Sequence, residues 1–80
     1  EPIPTLSVRT FPNPTTKQLT LEGLVVSTQV EVFNALGQMV LRRTVEPSDP
    51  NLDVSSLARG TYTLRMQLDE GIGVARIVKQ

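Results

Sequence analysis

The sequence has no histidine, no cysteine and no tryptophan among its 80 residues. Without histidine and cysteine it cannot form disulfide bonds, thiolate nucleophiles, Ser-His or Cys-His relays, or zinc sites with imidazole or sulfur ligands. A chain of this length makes one domain and buries roughly 60% of its unfolded surface. We therefore expect one small domain that is held together by side-chain packing alone.

Neither sign of charge is in excess, because 8 Lys and Arg residues balance 8 Asp and Glu residues. A nucleic-acid-binding domain would carry a clustered basic excess, so we expect no nucleic-acid partner. Long hydrophobic runs are also missing, and no segment approaches the roughly 20 apolar residues that a transmembrane helix needs. We therefore expect no transmembrane span.

The carboxylates give little support for a catalytic or metal site. Asp69 and Glu70 are adjacent at a predicted hairpin tip, whereas a catalytic pair needs a cleft and shifted pKa values. Residues 48–53 only weakly resemble the alternating oxygen ligands of a calcium loop. Residues 71–73 precede a strand, not the helix that a phosphate-binding loop requires. We predict a protein that is not an enzyme and that uses no cofactor and no metal.

The apolar residues recur with the period of β-strands. From Thr61 the chain alternates, with Tyr62, Leu64, Met66 and Leu68 on one face and polar residues on the other. This is period two over eight residues, which predicts a strand with one solvated face. The predicted core is Leu19, Leu21, Val30, Val32, Leu52, Leu57, Tyr62, Leu64 and Met66. One helical turn is predicted at 55–58, ended by Gly60.

The turn residues divide the chain into seven predicted strands, at about 6–11, 17–22, 28–34, 38–45, 51–54, 61–68 and 73–79. This pattern predicts an all-β fold, a seven-stranded antiparallel immunoglobulin-like β-sandwich. The strands at about 38–45 and 73–79 alternate poorly, because each contains consecutive apolar residues. Their faces therefore cannot be assigned from the sequence.

Two local patterns predict particular backbone geometries. Asn34 and Gly37 bracket a short apolar turn, which favours a type I turn continued by a left-handed residue in a hairpin with a bulge. Leu57, Gly60 and Tyr62 have the spacing of a tyrosine corner, in which the hydroxyl bonds to upstream backbone. Gly60 is expected to need a positive φ, or to leave room for the Tyr62 ring.

The first residues, Glu1 to Pro4, have the composition of a linker. We therefore divide the chain into a linker remnant at 1–5 and a domain at 6–80. We expect the chain to be the C-terminal piece of a longer protein.

Four segments, in this order, resemble the motifs of type IX secretion sorting domains. They are FPNPTTKQLTL at 11–21, VEVFNALGQMV at 30–40, LARGTYTLR at 57–65 and VARIVKQ at 74–80. The residues that carry the resemblance are Pro12, Asn13, Pro14, Gly37, Gln38, Leu57, Gly60 and Tyr62.

The resemblance implies a C-terminal secretion signal domain. Such a domain is recognised by the type IX translocon, which exports the N-terminal cargo domain of the same chain from the periplasm to the outer membrane and cell surface. A sortase-like peptidase then removes the domain from most cargo. Some cargo proteins keep the domain, and some are secreted. The alternative from the residues alone is an accessory β-sandwich that binds surface carbohydrate or protein, or that spaces other domains.

The basic residues Arg42, Arg43, Arg59, Arg65, Arg76 and Lys79 allow two interpretations. They can guard strand edges against pairing with other chains, or form a recognition face for a transport receptor. With the resemblance, we predict recognition through the terminal residues Arg76, Ile77, Val78, Lys79 and Gln80. An edge strand there would also permit a dimer by strand-edge pairing.

Overall fold

A computed structural model describes residues 5–12, 15–68 and 71–80, and shows eight β-strands and no helix within these ranges. The strands are β1 (Thr5–Ser7), β2 (Thr10–Phe11), β3 (Gln18–Leu21), β4 (Thr28–Phe33), β5 (Met39–Val45), β6 (Asn51–Asp53), β7 (Gly60–Leu68) and β8 (Gly71–Lys79). The predicted all-β sandwich is confirmed. Asp69, Glu70, Asn13 and Pro14 lie outside the described residues, as does the predicted linker except for Thr5, with which β1 begins.

The strands form a five-stranded sheet with the order β1-β8-β7-β4-β5 and a three-stranded sheet with the order β2-β3-β6. All pairings between these strands are antiparallel except that of β1 with β8, which is parallel. The first predicted strand is divided between the two sheets. The Val8 amide donates to Val74 in one sheet, whereas the Arg9 carbonyl accepts from the Glu22 amide beside the other. The chain therefore crosses between the sheets within two residues.

The core lies between the two sheets. Of the nine predicted core residues, eight are buried and Leu57 is partly buried. The structure adds Leu41, Val45, Val54, Ala75 and Ile77 to the core. At about 25 cal/mol per Å² of apolar surface removed from water, this shared layer is the main stabilising contribution in a domain without disulfides.

The terminal strand β8 alternates regularly, contrary to the prediction from its sequence. Its buried positions are every second residue, namely Gly71, Gly73, Ala75, Ile77 and Lys79. Hydrophobic patterning missed this alternation because two of these residues are glycines and the last is a lysine. One face of β8 therefore lies against the core, although few of the residues on that face are large.

The Asn34–Gly37 turn has the predicted geometry. The Gly37 amide donates to the Asn34 carbonyl at 3.0 Å, and Gly37 has a φ of +81°. The Asn34 Oδ1 accepts hydrogen bonds from the amides of Leu36 and Gln38, as asparagine does in turns. The register of β4 against β5 shifts between Val32 and Phe33, so the predicted bulge is present.

The segment before β7 forms a hydrogen-bonded turn in place of the predicted helical turn. The Leu57 amide donates to the Val54 carbonyl at 3.0 Å. The Asp53 carboxylate accepts from the Ser55 amide at 2.9 Å and from the Ser55 hydroxyl at 2.7 Å. Asp53 thus caps a single i→i+3 turn, and the chain does not continue from it into a helix.

Candidate recognition surface

The five predicted recognition residues are divided between two faces of β8. Arg76 and Val78 are exposed on the outer face of the five-stranded sheet, which is the side turned away from the core, and Gln80 follows the strand. Ile77 is fully buried in the core. The structure therefore places only Arg76, Val78 and Gln80 where another protein can contact their side chains.

Lys79 closes one end of the sandwich. Only 8% of this residue is exposed, and its ammonium group donates to the Leu57 carbonyl at 3.0 Å. Its backbone is paired with Gly60 of β7 and, on the other side, with Thr15 in an isolated bridge. A buried ammonium needs such a partner, since its desolvation is otherwise costly. These contacts give Lys79 a structural role.

The terminal strand is not an edge strand, which corrects the basis of the predicted edge pairing. Over residues 72–74 it lies between β7 and β1. Near its end, the Thr15 amide donates to the Val78 carbonyl and the Gln80 amide donates to the Thr15 carbonyl. The five-stranded sheet has β1 and β5 at its edges instead, so pairing of a partner with either end of β8 would displace existing hydrogen bonds.

The tyrosine corner is present. The Tyr62 hydroxyl donates to the Ala58 carbonyl at 2.6 Å, and the ring is buried. Gly60 has a φ of +154°, as predicted, and a Cβ there would lie 3.9 Å from the Tyr62 ring. Gly60 is therefore required by its backbone conformation, since a Cβ would make only ordinary contact with the ring.

Two further motif residues, Pro12 and Gln38, also lie at defined places in the fold. Pro12 is exposed just after β2, and its peptide bond with Phe11 is cis. The Gln38 Oε1 accepts from the Asn34 Nδ2 at 3.0 Å across the hairpin turn. The described residues that carry the resemblance thus lie mainly in and beside the turns that connect the strands.

The outer face carries a cluster that the sequence did not reveal. The Arg65 Nη2 donates to the Glu31 Oε1 at 3.1 Å, and the Arg65 guanidinium lies 5.6 Å from the centre of the Phe33 ring. Glu31 is paired directly with Arg65 in the register of β4 and β7. In the sequence these three residues are only outward positions on two predicted strands. They come close together because of the register between β4 and β7.

Among the described residues, Asp53 has a carboxyl whose titration the fold alters. The two hydrogen bonds from Ser55 lower the pKa of its carboxyl below the ordinary value, and Arg43 lowers it further. Asp53 is nevertheless fully exposed, so it lacks the enclosed surroundings of a catalytic carboxyl. Within the described ranges, no group of three or more His, Cys, Asp or Glu residues is placed to hold a metal ion. None of the described segments forms a helix with the length and hydrophobicity needed to span a bilayer.

Comparison with known proteins identifies the family. No curated protein is significantly similar to this sequence. The profile of the family described as "Secretion system C-terminal sorting domain" matches residues 9–80, and this match includes all four motifs. The hairpin turn, the tyrosine corner and the closing strand lie within the match. The chain therefore belongs to the family of type IX secretion system C-terminal sorting domains.

Proposed function

We propose that this domain is the signal by which the type IX translocon exports an attached N-terminal cargo and delivers it to the cell surface. The observation that carries the proposal is the family match over residues 9–80. The fold supports it, because a sorting signal must be a stable domain with an accessible surface. The described residues offer such a surface on the outer face and at the end of β8.

In this proposal the cargo passes through the periplasm, and the translocon contacts the folded domain. The cargo then reaches the outer membrane and cell surface, or is secreted. A sortase-like peptidase cleaves the chain upstream of the domain. The domain itself acts without catalysis and without a cofactor, as a binding partner of the export machinery.

A reporter fusion tests export directly. Residues 1–80 are fused behind a periplasmic reporter in a bacterium that has a type IX system, and surface reporter is measured. We expect surface delivery in this strain and periplasmic retention in a strain without the translocon. The matched control is the same fusion carrying Leu64→Ala, which lowers the stability of the domain. Equal surface delivery with and without the translocon would contradict the proposal.

Recognition by the terminal strand needs variants that leave its packing intact. Removal of Lys79 and Gln80 would break the contacts with Leu57 and Thr15, so truncation confounds folding with recognition. The double variant Arg76→Gln/Val78→Thr changes only outward side chains. We expect an unchanged circular dichroism spectrum and periplasmic retention of the reporter. Normal surface delivery by this folded variant would exclude a role for these two side chains.

A further inference from the structure

The outer face of the five-stranded sheet contains a groove of about 570 Å³. Thr63 lies at its centre and is paired with Phe33 on one side and Arg76 on the other. In the next row of the sheet, Arg65 is paired with Val74. The Asn34–Gly37 turn forms a wall. The groove thus combines two guanidinium groups with apolar side chains from neighbouring strands.

The charge on this face is one-sided. Among the described residues of β4, β5, β7 and β8, the outward positions hold Arg42, Arg65 and Arg76 but only one carboxylate, Glu31. The whole chain has no net charge, so this excess is local to the outer face. A local excess of one sign favours a ligand of the opposite sign.

Arg65 is held in position before any ligand arrives. Its bond to Glu31 and its position over the Phe33 ring restrict the guanidinium. A guanidinium has five N–H donors. The single Glu31 oxygen that it contacts cannot accept hydrogen bonds from all five. Because its geometry is already restricted, less side-chain entropy is lost when it binds a second acceptor.

The spacing of the two cations matches an extended peptide. Arg76 lies in the row of Thr63, and Arg65 is two residues further along β7. Two residues of an extended chain span about 6.6–6.8 Å, and their side chains point to the same side. Because Arg65 is on β7 and Arg76 is on the neighbouring β8, an extended peptide that lies along the boundary between these strands would present carboxylates at i and i+2 to one arginine each.

Apolar residues of β8 lie in the rows before and after those of the two arginines. Val78 lies in the row beyond Arg76, opposite Thr61, and Ile72 lies in the row beyond Val74, opposite Gln67. Val78 is 42% exposed and Ile72 is partly buried. An extended segment with apolar side chains at i−2 and i+4 would cover them. This adds apolar burial to the two ion pairs.

We propose that this groove binds an extended acidic segment of a partner protein, with carboxylates at i and i+2 between apolar residues at i−2 and i+4. A small anion would leave the apolar side chains of Val78 and Ile72 uncovered. A neutral sugar would gain nothing from the positive charge of the two arginines, and the Arg65 guanidinium already lies over the Phe33 ring on which it could stack. The proposal extends the proposed function, since it gives the chemistry of a partner, but its test does not depend on export.

The test is a titration of the purified 80-residue chain, labelled with ¹⁵N, with the capped peptide Val-Thr-Glu-Thr-Glu-Thr-Val. We expect saturable shifts of the amide signals of Thr63, Arg65, Val74 and Arg76. The matched peptide with Gln for both Glu residues should bind about tenfold more weakly, as expected for the loss of charge-assisted hydrogen bonds. Failure of the acidic peptide to saturate these signals would overturn the proposal.

Protein variants locate the binding to the groove. The variant Arg65→Gln/Arg76→Gln should lose about tenfold in affinity with an unchanged circular dichroism spectrum. The control is Arg9→Gln, because Arg9 also pairs with a carboxylate, that of Glu22 at 3.7 Å, but away from the groove. We expect the control to bind as the parent chain does. Equal loss in both variants would indicate non-specific attraction and would overturn the proposal.

Two other anions test whether the groove prefers a protein segment. Inorganic phosphate or dextran sulfate that saturates the same signals at a lower concentration than the peptide would overturn the assignment to a protein segment. We expect both to bind more weakly. Because the readout is binding to purified protein, failure here with normal surface delivery would leave the proposed function standing. Peptide binding without delivery would leave the inference standing and refute the function.

Discussion

The adjacent strands β7 and β8 have the same length and both alternate between buried and exposed residues, but they differ in the size of the side chains that are paired between Leu64 and Leu68. Each has nine residues, and they are paired along their full length. On the buried face, Leu64 is opposite Ala75, and Met66 is opposite Gly73. Large residues of β7 therefore occupy the space that small residues of β8 leave. Two neighbouring strands can share one face of a core while only one shows it in its hydrophobic pattern.

Gly73 shows how tight this complementarity is. A Cβ at this position would lie 2.6 Å from the Val8 Cγ2, 2.9 Å from the Leu68 Cδ1 and 2.9 Å from the Met66 Cγ. These distances are below van der Waals contact, so no other residue fits without displacement of its neighbours. Glycine is required here by packing, since no positive φ is found at this position.

The largest expected loss of stability comes from shortening a large buried side chain of β7. Leu64 is fully buried, and Leu64→Ala should lower the free energy of unfolding by about 2–5 kcal/mol, because it removes apolar contact and leaves a cavity. Chemical denaturation followed by circular dichroism measures this. The control is Leu36→Ala, at an exposed turn position, which should change stability little. An effect at Leu64 no greater than at Leu36 would contradict its assignment to the core.

Enlarging a small buried residue of β8 should also destabilise the domain. Gly73→Ala should lower the free energy of unfolding by about 1–3 kcal/mol, because the new methyl group overpacks the site. The same denaturation experiment checks this value. The matched test adds Val8→Ala, which shortens the nearest side chain. The double variant should recover part of the loss, a coupling that only residues in contact show. Strict additivity would exclude a clash with Val8.

A hydrogen bond near the start of β7, from Tyr62 to Ala58, allows a polar contact beside the same core to be tested. Tyr62→Phe removes the hydroxyl that donates to the Ala58 carbonyl. We expect a loss of about 1 kcal/mol, the net value of one hydrogen bond in a folded protein. Thermal unfolding measures it, with Ser56→Ala at the exposed turn as the control. If Tyr62→Phe unfolds at the parent temperature, the tyrosine corner contributes packing alone.

The smallest effect is expected outside both strands, at Asp53. Its pKa is lowered in the folded protein from an ordinary value of 3.8 by the bonds from Ser55. The carboxylate therefore contributes stability above pH 3.8, and this contribution is lost as the pH falls through the lower folded pKa. Asp53→Asn should remove this part of the acid sensitivity. Denaturation midpoints at several pH values below and above 3.8 check it, and parallel pH profiles would contradict it.

The predictable parts of the fold were those with large residues or specific turn chemistry. The core face of β7, the Asn34–Gly37 turn and the tyrosine corner could be predicted because each depends on residues close in sequence. The face of β8 could not, since its buried positions include two glycines and a lysine and apolar residues occur on both of its faces. The division of the first strand was also missed, because it depends on separate bonds of Val8 and Arg9 to distant strands.

The candidate site divides in a similar way. The basic character of the terminal residues was visible, but their burial was not, so Ile77 and Lys79 were grouped with side chains that face outward. The cluster of Arg65, Glu31 and Phe33 could not be predicted, since β4 and β7 are neighbours only in the folded sheet.

By itself, the sequence determined that this protein is an all-β sandwich and which family it resembles, because alternation and turn motifs are local properties of the chain. The tertiary structure decided which residues of the terminal strand are accessible and which arginines share a groove. These depend on strand register and on the match between large and small side chains. Both arise from contacts between residues far apart in the sequence, so no local pattern carries them.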